Sequence, residues 1–253
     1  MKLMKASPMI EDSKSVTALV IPCFNESNRL NINYYNSLIP KLTKIGGKIY
    51  FVNDGSTDKT EQLLLDNFAG NCEILSLQKN YGKAEAIRKG LNYIIDQNEF
   101  KYIGYLDSDC AFSIEDILNI VMISNSDKTH NAFFASRVML AGHNIHRNPW
   151  RHFIGRAIST LINFNLQTKI YDPQCGLKVF QRNLISRVGL QTKFKTKWFI
   201  DVELILRIRP ENMSILEIPV KSWRDVKGSK LKLTHFPKII YELATIIYAE
   251  RKA

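Results

Sequence analysis

Five short, nearly continuous apolar runs, Val16–Pro22, Lys48–Asn53, Glu73–Gln78, Lys101–Asp107 and Asn131–Arg137, alternate with segments whose apolar residues recur at spacings of three and four. These segments, Leu30–Lys44, Lys59–Ala69, Lys83–Gln97 and Ser113–Ser124, read as helices, the last opened by an approximate capping box of Ser113 with Asp116. Strands apolar nearly throughout and linked by helices bury themselves in a mostly parallel sheet covered on both faces. The expected class is α/β and Rossmann-like, with ligands at the carboxyl ends of the strands. The loops after the strands are therefore where chemistry is sought.

The second half of the chain is less regular. A helix is expected at Trp150–Phe164, a loop at Lys169–Gly176, strands at Leu177–Gln181 and Ser214–Val220, and a helix at Trp198–Arg209. At the end, His235–Arg251 places Ile239, Ile240, Leu243, Ile246 and Ile247 on one face of an amphipathic helix. The reading is a tail over 1–15, one domain over 16–233 with halves at 16–126 and 127–233, and a terminal helix over 234–253.

Composition narrows the function classes. With 45% hydrophobic residues in 253, the chain builds a sizeable core, and no run reaches the 18 apolar residues of a membrane span. Four cysteines without a CxxC pair argue against a zinc site or a disulfide scaffold and suit a reducing compartment. The charge is lopsided: residues 1–126 hold 13 Lys/Arg against 15 Asp/Glu, and residues 127–253 hold 22 against 9. A half with a net +13 suits a phosphorylated substrate, anionic lipid or nucleic acid. The last is the weakest, because no RNP, KH or zinc pattern accompanies it.

Four loops carry candidate chemistry. Pro22-Cys23-Phe24-Asn25-Glu26 offers an aromatic face, an amide and a carboxylate to a base and ribose, or else caps a helix. In Asn53-Asp54-Gly55-Ser56-Thr57-Asp58, Asp54 stands at a strand mouth, where a carboxylate accepts from a nucleobase or ribose. Asn80-Tyr81-Gly82-Lys83 puts a glycine and a lysine where a diphosphate approaches a helix start, without any GxGxxG or GxxxxGK[ST] pattern. Asp107-Ser108-Asp109 closes the fourth strand with two hard oxygen donors, suited to Mg²⁺ or Mn²⁺ bridging a diphosphate.

These residues, in this order, resemble a family-two glycosyltransferase of the GT-A fold: IPCFNE, VNDGSTDKT, LQKNYGKAEAIRKG and YLDSD are similar to its donor-binding loops. ASR (135–137), YDPQCGLKVF (171–180), WFIDVELI (198–205) and EIPVKSWRDVKGSKL (217–231) are similar to its dolichyl-phosphate β-glucosyltransferase branch, and the resemblance spans roughly residues 16–245. It implies metal-dependent, inverting transfer of a hexose, for this branch from UDP-glucose, to a polyprenyl phosphate at the cytosolic face of a membrane. Peripheral attachment is expected through the basic half and the His235–Arg251 helix, unless that helix packs its apolar face on the protein itself or on a second subunit. Carried over by position, Pro22, Phe24, Glu26 and Asp54 hold the nucleoside, Lys83 lies near it, and Asp107 and Asp109 bind the metal. Phe24 stands where the family more often has Tyr, Ala111 replaces a polar residue, and Gly155 stands where a serine is expected.

A phosphomonoester acceptor, with a second pKa near ~6, is already a nucleophile at neutral pH and needs cations rather than a base. Arg137, Arg151 and Arg156 are the candidates for holding it. A sugar-hydroxyl acceptor, as in elongation of a saccharide, would need a base, for which Asp172 or Asp201 is nearest. Asp201 and Glu203, two charges in an apolar helix, read as contacts to donor-sugar hydroxyls or to a neighbouring basic loop. Trp198 is core or a sugar platform, Gly228-Ser229-Lys230 among Arg224, Lys227 and Lys232 is a closing turn, and His143 and His146 belong to a solvated loop.

Overall fold

The computed structural model describes residues 16–147, 149–166, 169–187, 190, 192–196, 199–211, 213–224 and 241–248, with backbone alone at 149–152, 154 and 166. The first half follows the β-α alternation: β1 (Thr17–Cys23), α1 (Ile32–Lys44), β2 (Gly47–Asn53), α2 (Thr60–Phe68), β3 (Glu73–Ser76), α3 (Lys83–Gln97), β4 (Tyr102–Leu106), α4 (Ile114–Ser126) and β5 (Ala132–Ser136). Ser113 caps α4, accepting from the Asp116 amide at 3.1 Å and donating to its carboxylate at 2.7 Å. The second half adds β6 (Asn144–His146), α5 (Pro149–Leu166), β7 (Leu177–Gln181), α6 (Arg182–Arg187), α7 (Ile200–Ile208), β8 (Ile215–Pro219) and β9 (Ser222–Arg224).

Seven strands form one sheet in the order β3-β2-β1-β4-β7-β5-β8, parallel except for β7, which runs antiparallel to both neighbours. Alternate residues of β1 and β2 supply two cores. Leu19, Ile21, Ile49 and Phe51 pack with α1, α2 and α4, whereas Ala18, Val20, Tyr50 and Val52 pack with α3, α6 and α7. This two-sided burial is why these strands lack the polar alternation of half-exposed ones.

Three features escape the periodicity. The loop that carries His143 and His146 contains β6, which pairs with β9 in a separate two-stranded sheet. His143 Nδ1 lies 2.8 Å from the Val220 carbonyl, so this histidine is tied into the fold while His146 is exposed. A third apolar cluster joins Ile162 of α5 and Phe199 and Val202 of the α7 region to Leu243 and Ile246 of the helical residues 241–248. That face of the terminal helix is thus docked on the protein itself. The 1–15 tail, Trp198, the Gly228-Ser229-Lys230 turn with Lys227 and Lys232, and the rest of 234–253 lie outside the described residues.

Candidate active site

The sheet order reverses at β1, with β2 and β3 on one side and β4 on the other, which opens a crevice at the carboxyl ends. Cys23 and Asn53 are register partners, so the loops after β1 and β2 leave the sheet side by side. They are fastened to each other. The Asn25 amide donates to Ser56 Oγ at 3.0 Å, the Thr57 amide to Asn25 Oδ1 at 2.9 Å, and the Glu26 amide to Thr60 Oγ1 at 2.8 Å. Asn25 adopts φ 49°, a left-handed conformation that asparagine tolerates. Asn25 and Glu26 are therefore not helix caps; Asn31 caps α1, accepting from the Tyr34 amide at 3.0 Å. Pro22 lies within β1, Phe24 is half-buried after it, and Glu26 is buried beside Arg29 at 3.7 Å.

Asp54 is buried, and its two oxygens accept from the amides of Tyr81 and Gly82 at 2.8 Å each. Burial pushes this carboxyl up, and the two amides offset that only in part. The first job of Asp54 is thus to bind the third loop to the second. Gly55 makes the approach possible: it has φ 62°, and a Cβ there would stand 2.2 Å from the Lys79 carbonyl carbon. The third loop delivers Lys83 to the fourth, where its Nζ meets Asp107 Oδ1 at 2.6 Å.

Asp107 follows β4, and because β7 is antiparallel, Leu106 faces Leu177 and the Asp107 amide donates to the Gly176 carbonyl at 2.9 Å. A Cβ on Gly176 would lie 2.2 Å from Asp107 Oδ2. We expect Gly176→Ala to displace that carboxylate and reduce turnover by about a hundredfold, on the scale of a 1 Å misplacement. Activity and donor affinity measured on the folded variant check this; wild-type turnover would remove Gly176 from the site. Asp109 Oδ1 accepts from the Ala111 amide at 3.2 Å. Its carboxyl is raised, first by burial and then by the neighbouring Asp107 charge. Asp107 Oδ1 has no well-aligned hydrogen bond. Two adjacent carboxylates, one raised by the other and one with an oxygen meeting only an ammonium, fit a divalent cation that substrate oxygens complete. Among the described residues no three His, Cys, Asp or Glu side chains gather into a fuller metal shell.

On the other side of β7 lies the arginine cluster. Arg137, directly after β5, grips Asp172 with both arms of its guanidinium at 2.6 and 2.7 Å, and its amide adds a third bond at 3.1 Å. Its guanidinium also lies 4.9 Å from the Trp223 ring. Arg137 is engaged before any acceptor arrives, which departs from its reading as a phosphate-binding cation. Arg156 on α5 donates to the Tyr171 carbonyl at 2.8 Å and stacks 4.0 Å over the Tyr171 ring. Glu217 of β8 holds the same loop by accepting from the Tyr171 and Asp172 amides at 2.6 and 2.9 Å. Arg151 lies on α5, and its side chain is outside the described residues. Arg147, which sequence reasoning missed, comes within 3.6 Å of where a Cβ on Gly155 would stand, and its charge lowers Asp172. Glycine at 155 leaves that space to the guanidinium.

The two carboxylates read as candidate bases are both committed. Burial alone would raise Asp172 and Asp201, but Arg137 outweighs it at the first, and Lys178 with Lys83 at the second. Both carboxyls end below the usual range. Lys178 of β7 is fully buried and donates to Asp201 Oδ1 at 2.7 Å and to the Cys175 carbonyl at 2.6 Å; Tyr105 OH donates to the same Asp201 oxygen. Glu203, a donor-sugar candidate, accepts instead from the amides of Lys195 and Thr196 at 2.9 to 3.0 Å and from Arg207 at 2.8 Å. Of its two readings, the structure displays the loop contact. A lysine inside the apolar run Leu177–Phe180 was the available signal for the buried pair.

Residues 18–189 match the family model Glycosyl transferase family 2. The chain is 31% identical over 255 residues to a dolichyl-phosphate beta-glucosyltransferase of Trichomonas vaginalis, covering 96% of this chain and 77% of that protein. It is 29% identical over 245 residues to the dolichyl-phosphate beta-glucosyltransferase of Saccharomyces cerevisiae, covering 88% and 71%. Among solved structures, glucosyl-3-phosphoglycerate synthase from Mycobacterium tuberculosis, in complex with Mn²⁺, uridine diphosphate and glucosyl-3-phosphoglycerate, superposes with a TM-score of 0.63 at 14% identity, covering 98% of this chain and 86% of that one.

Proposed function

The chain belongs to glycosyl transferase family 2 and has the GT-A fold, and from that premise we propose that it moves glucose from UDP-glucose to a polyprenyl phosphate with inversion. The observation that carries the choice of acceptor is the state of Asp172 and Asp201. A hydroxyl acceptor needs a general base, and both buried carboxylates near the site are ion-paired and held low, which makes them poor proton acceptors at neutral pH. A phosphate acceptor needs none, being largely dianionic already. The relatives' names and the arginines gathered at the Tyr171-Asp172 loop support the same reading.

In this reading the crevice beside β1 and β2 takes the nucleoside against Pro22, Phe24 and Glu26. Asp54 serves it by fixing the third loop, and Lys83 faces the diphosphate. Asp107 and Asp109 would hold Mg²⁺ or Mn²⁺, whose chemistry is to neutralise the departing diphosphate. The acceptor phosphate meets Arg147 and Arg156, with Arg151 on the same helix, while the Arg137–Asp172 pair sets the loop between donor and acceptor. Glu203 holds the neighbouring 195–196 loop. This divides the protein into a donor half over 16–126 and an acceptor half over 127–233.

Arg147→Ala and Arg156→Ala are each expected to raise the acceptor KM by about tenfold to a hundredfold, a loss of about 1–3 kcal/mol of charge-assisted contact, with donor KM nearly unchanged. The direct test is transfer screened across UDP- and GDP-sugars, with and without polyprenyl phosphate. Turnover with a saccharide acceptor, lost on Asp172→Asn or Asp201→Asn with the fold intact, would establish the elongating reading instead. No described helix is long and apolar enough to cross a membrane. A polyprenol tail stays in the bilayer, so the reaction belongs at a membrane surface with the enzyme bound peripherally, and the family resemblance favours the cytosolic face.

A further inference from the structure

α5 exposes a stripe without a single charge. Phe153, Ala157, Thr160, Leu161 and Phe164 are all exposed, and their spacings of four, three, one and three place them within about a third of the helix circumference. Phe153 is 70% exposed, Leu161 50% and Phe164 82%. The opposite side of the same helix is satisfied, with Ile162 and Ile158 packed into the third apolar cluster and Ser159 buried. Two phenylalanines left in water forgo the stabilisation that burying their rings would supply. Packing among the described residues does not account for the feature.

We infer that this stripe of α5 is the surface that enters the lipid bilayer and brings the arginine cluster to the acceptor phosphate. The inference rests on the polyprenyl-phosphate reading and adds the face of the molecule that meets the membrane. Three observations select a bilayer. First, Arg156 lies on the flank of the stripe, three residues from Phe153 and four from Thr160, so helix-surface neighbours present apolar rings and a guanidinium together. A lipid phosphate with an apolar tail has the same two-part chemistry. Second, the stripe belongs to the half of the chain carrying 22 Lys/Arg against 9 Asp/Glu, which attracts anionic headgroups. Third, five residues of one helix fall far short of the roughly 20–30 residues per partner of a stable protein interface, whereas an interfacial helix needs only an apolar face sunk to the acyl boundary. The terminal helix is poorly placed for this role, because Leu243 and Ile246 are buried against the protein.

The experiment uses the full chain and phosphatidylcholine vesicles with and without phosphatidylserine. Sedimentation with vesicles should fall by about tenfold or more in Phe153→Ser/Phe164→Ser, with an unchanged melting temperature. In Phe164→Trp the indole emission should shift to the blue when vesicles are added. Transfer to a short-chain prenyl phosphate in detergent should be retained by the double variant; absence of that transfer in the wild type would sink the acceptor reading while leaving the vesicle measurement standing. Wild-type sedimentation by the double variant, or no vesicle binding by the wild type, would overturn the assignment. So would dissociation of a dimer by the double variant with vesicle binding intact, which would give the stripe to a second copy of this chain.

Discussion

Asp107→Asn and Asp109→Asn should each lower transfer by about a thousandfold or more while the protein stays folded. In the proposed reading the two carboxylates would hold the cation that neutralises the leaving diphosphate, so losing one of them would forfeit several kcal/mol of stabilisation, and about 4 kcal/mol is three orders of magnitude in rate. The folding cost should be small at Asp107, whose partner Lys83 is exposed, because ion pairs of that kind contribute about 0–1 kcal/mol. At Asp109 the sign reverses. Its carboxyl is raised in the fold by burial and by Asp107, so ionisation there opposes folding. That penalty is absent at low pH and grows as pH rises through the raised pKa, so Asp109→Asn should melt at a higher temperature than the wild type near neutral pH. Assays titrated with Mg²⁺ or Mn²⁺ and with chelator, run beside thermal melts, test both halves. Full activity in chelator would remove the metal from the mechanism.

The largest stability effect is expected at the Lys178–Asp201 pair. Asp201→Asn leaves a fully buried ammonium without its counter-charge, for which about 3–5 kcal/mol is the usual cost, and Lys178→Met strands the carboxylate in the same way. The double variant Lys178→Met/Asp201→Asn should recover much of that loss, because a buried pair is often no better than neutral side chains of similar volume. Asp201 is depressed in the fold, so its contribution is fully present above the ordinary carboxyl range near ~4 and disappears as pH falls through the lower folded value. Denaturant unfolding from neutral to acid pH, with a double-mutant cycle, measures this. Additive losses across the cycle would show that the two groups do not act as a pair. If the double variant is stable and still glucosylates polyprenyl phosphate, Asp201 is not the base.

Much of the first half was legible in the sequence because local rules govern it. Near-continuous apolar runs mark strands buried on both faces, and Pro22, Phe24, Asp54, Asp107 and Asp109 sit at or within two residues of the end of such a run. α3 and β7 begin and end where their patterns predict, and the Ser113 cap is a short-range interaction that a spacing of three displays. The second half was harder for a physical reason. Arg137 and Asp172 are 35 positions apart, Arg147 lies in the loop before the helix that carries Gly155, and Lys178 and Asp201 belong to a strand and a helix. No periodicity links such pairs.

The class of fold, the succession of strands along the chain, the residues that crown them and the basic character of the second half all follow from local patterns. Which charges pair with each other depends on the folded arrangement. Inserting β7 antiparallel between β4 and β5 sets Gly176 against Asp107, and the loop feeding that strand carries Asp172 to Arg137. A carboxylate or guanidinium has the same formula whether it faces a substrate or a buried partner. What separates the two is desolvation, which makes an unpaired charge too costly inside the fold and so assigns partners only once the chain has closed around them.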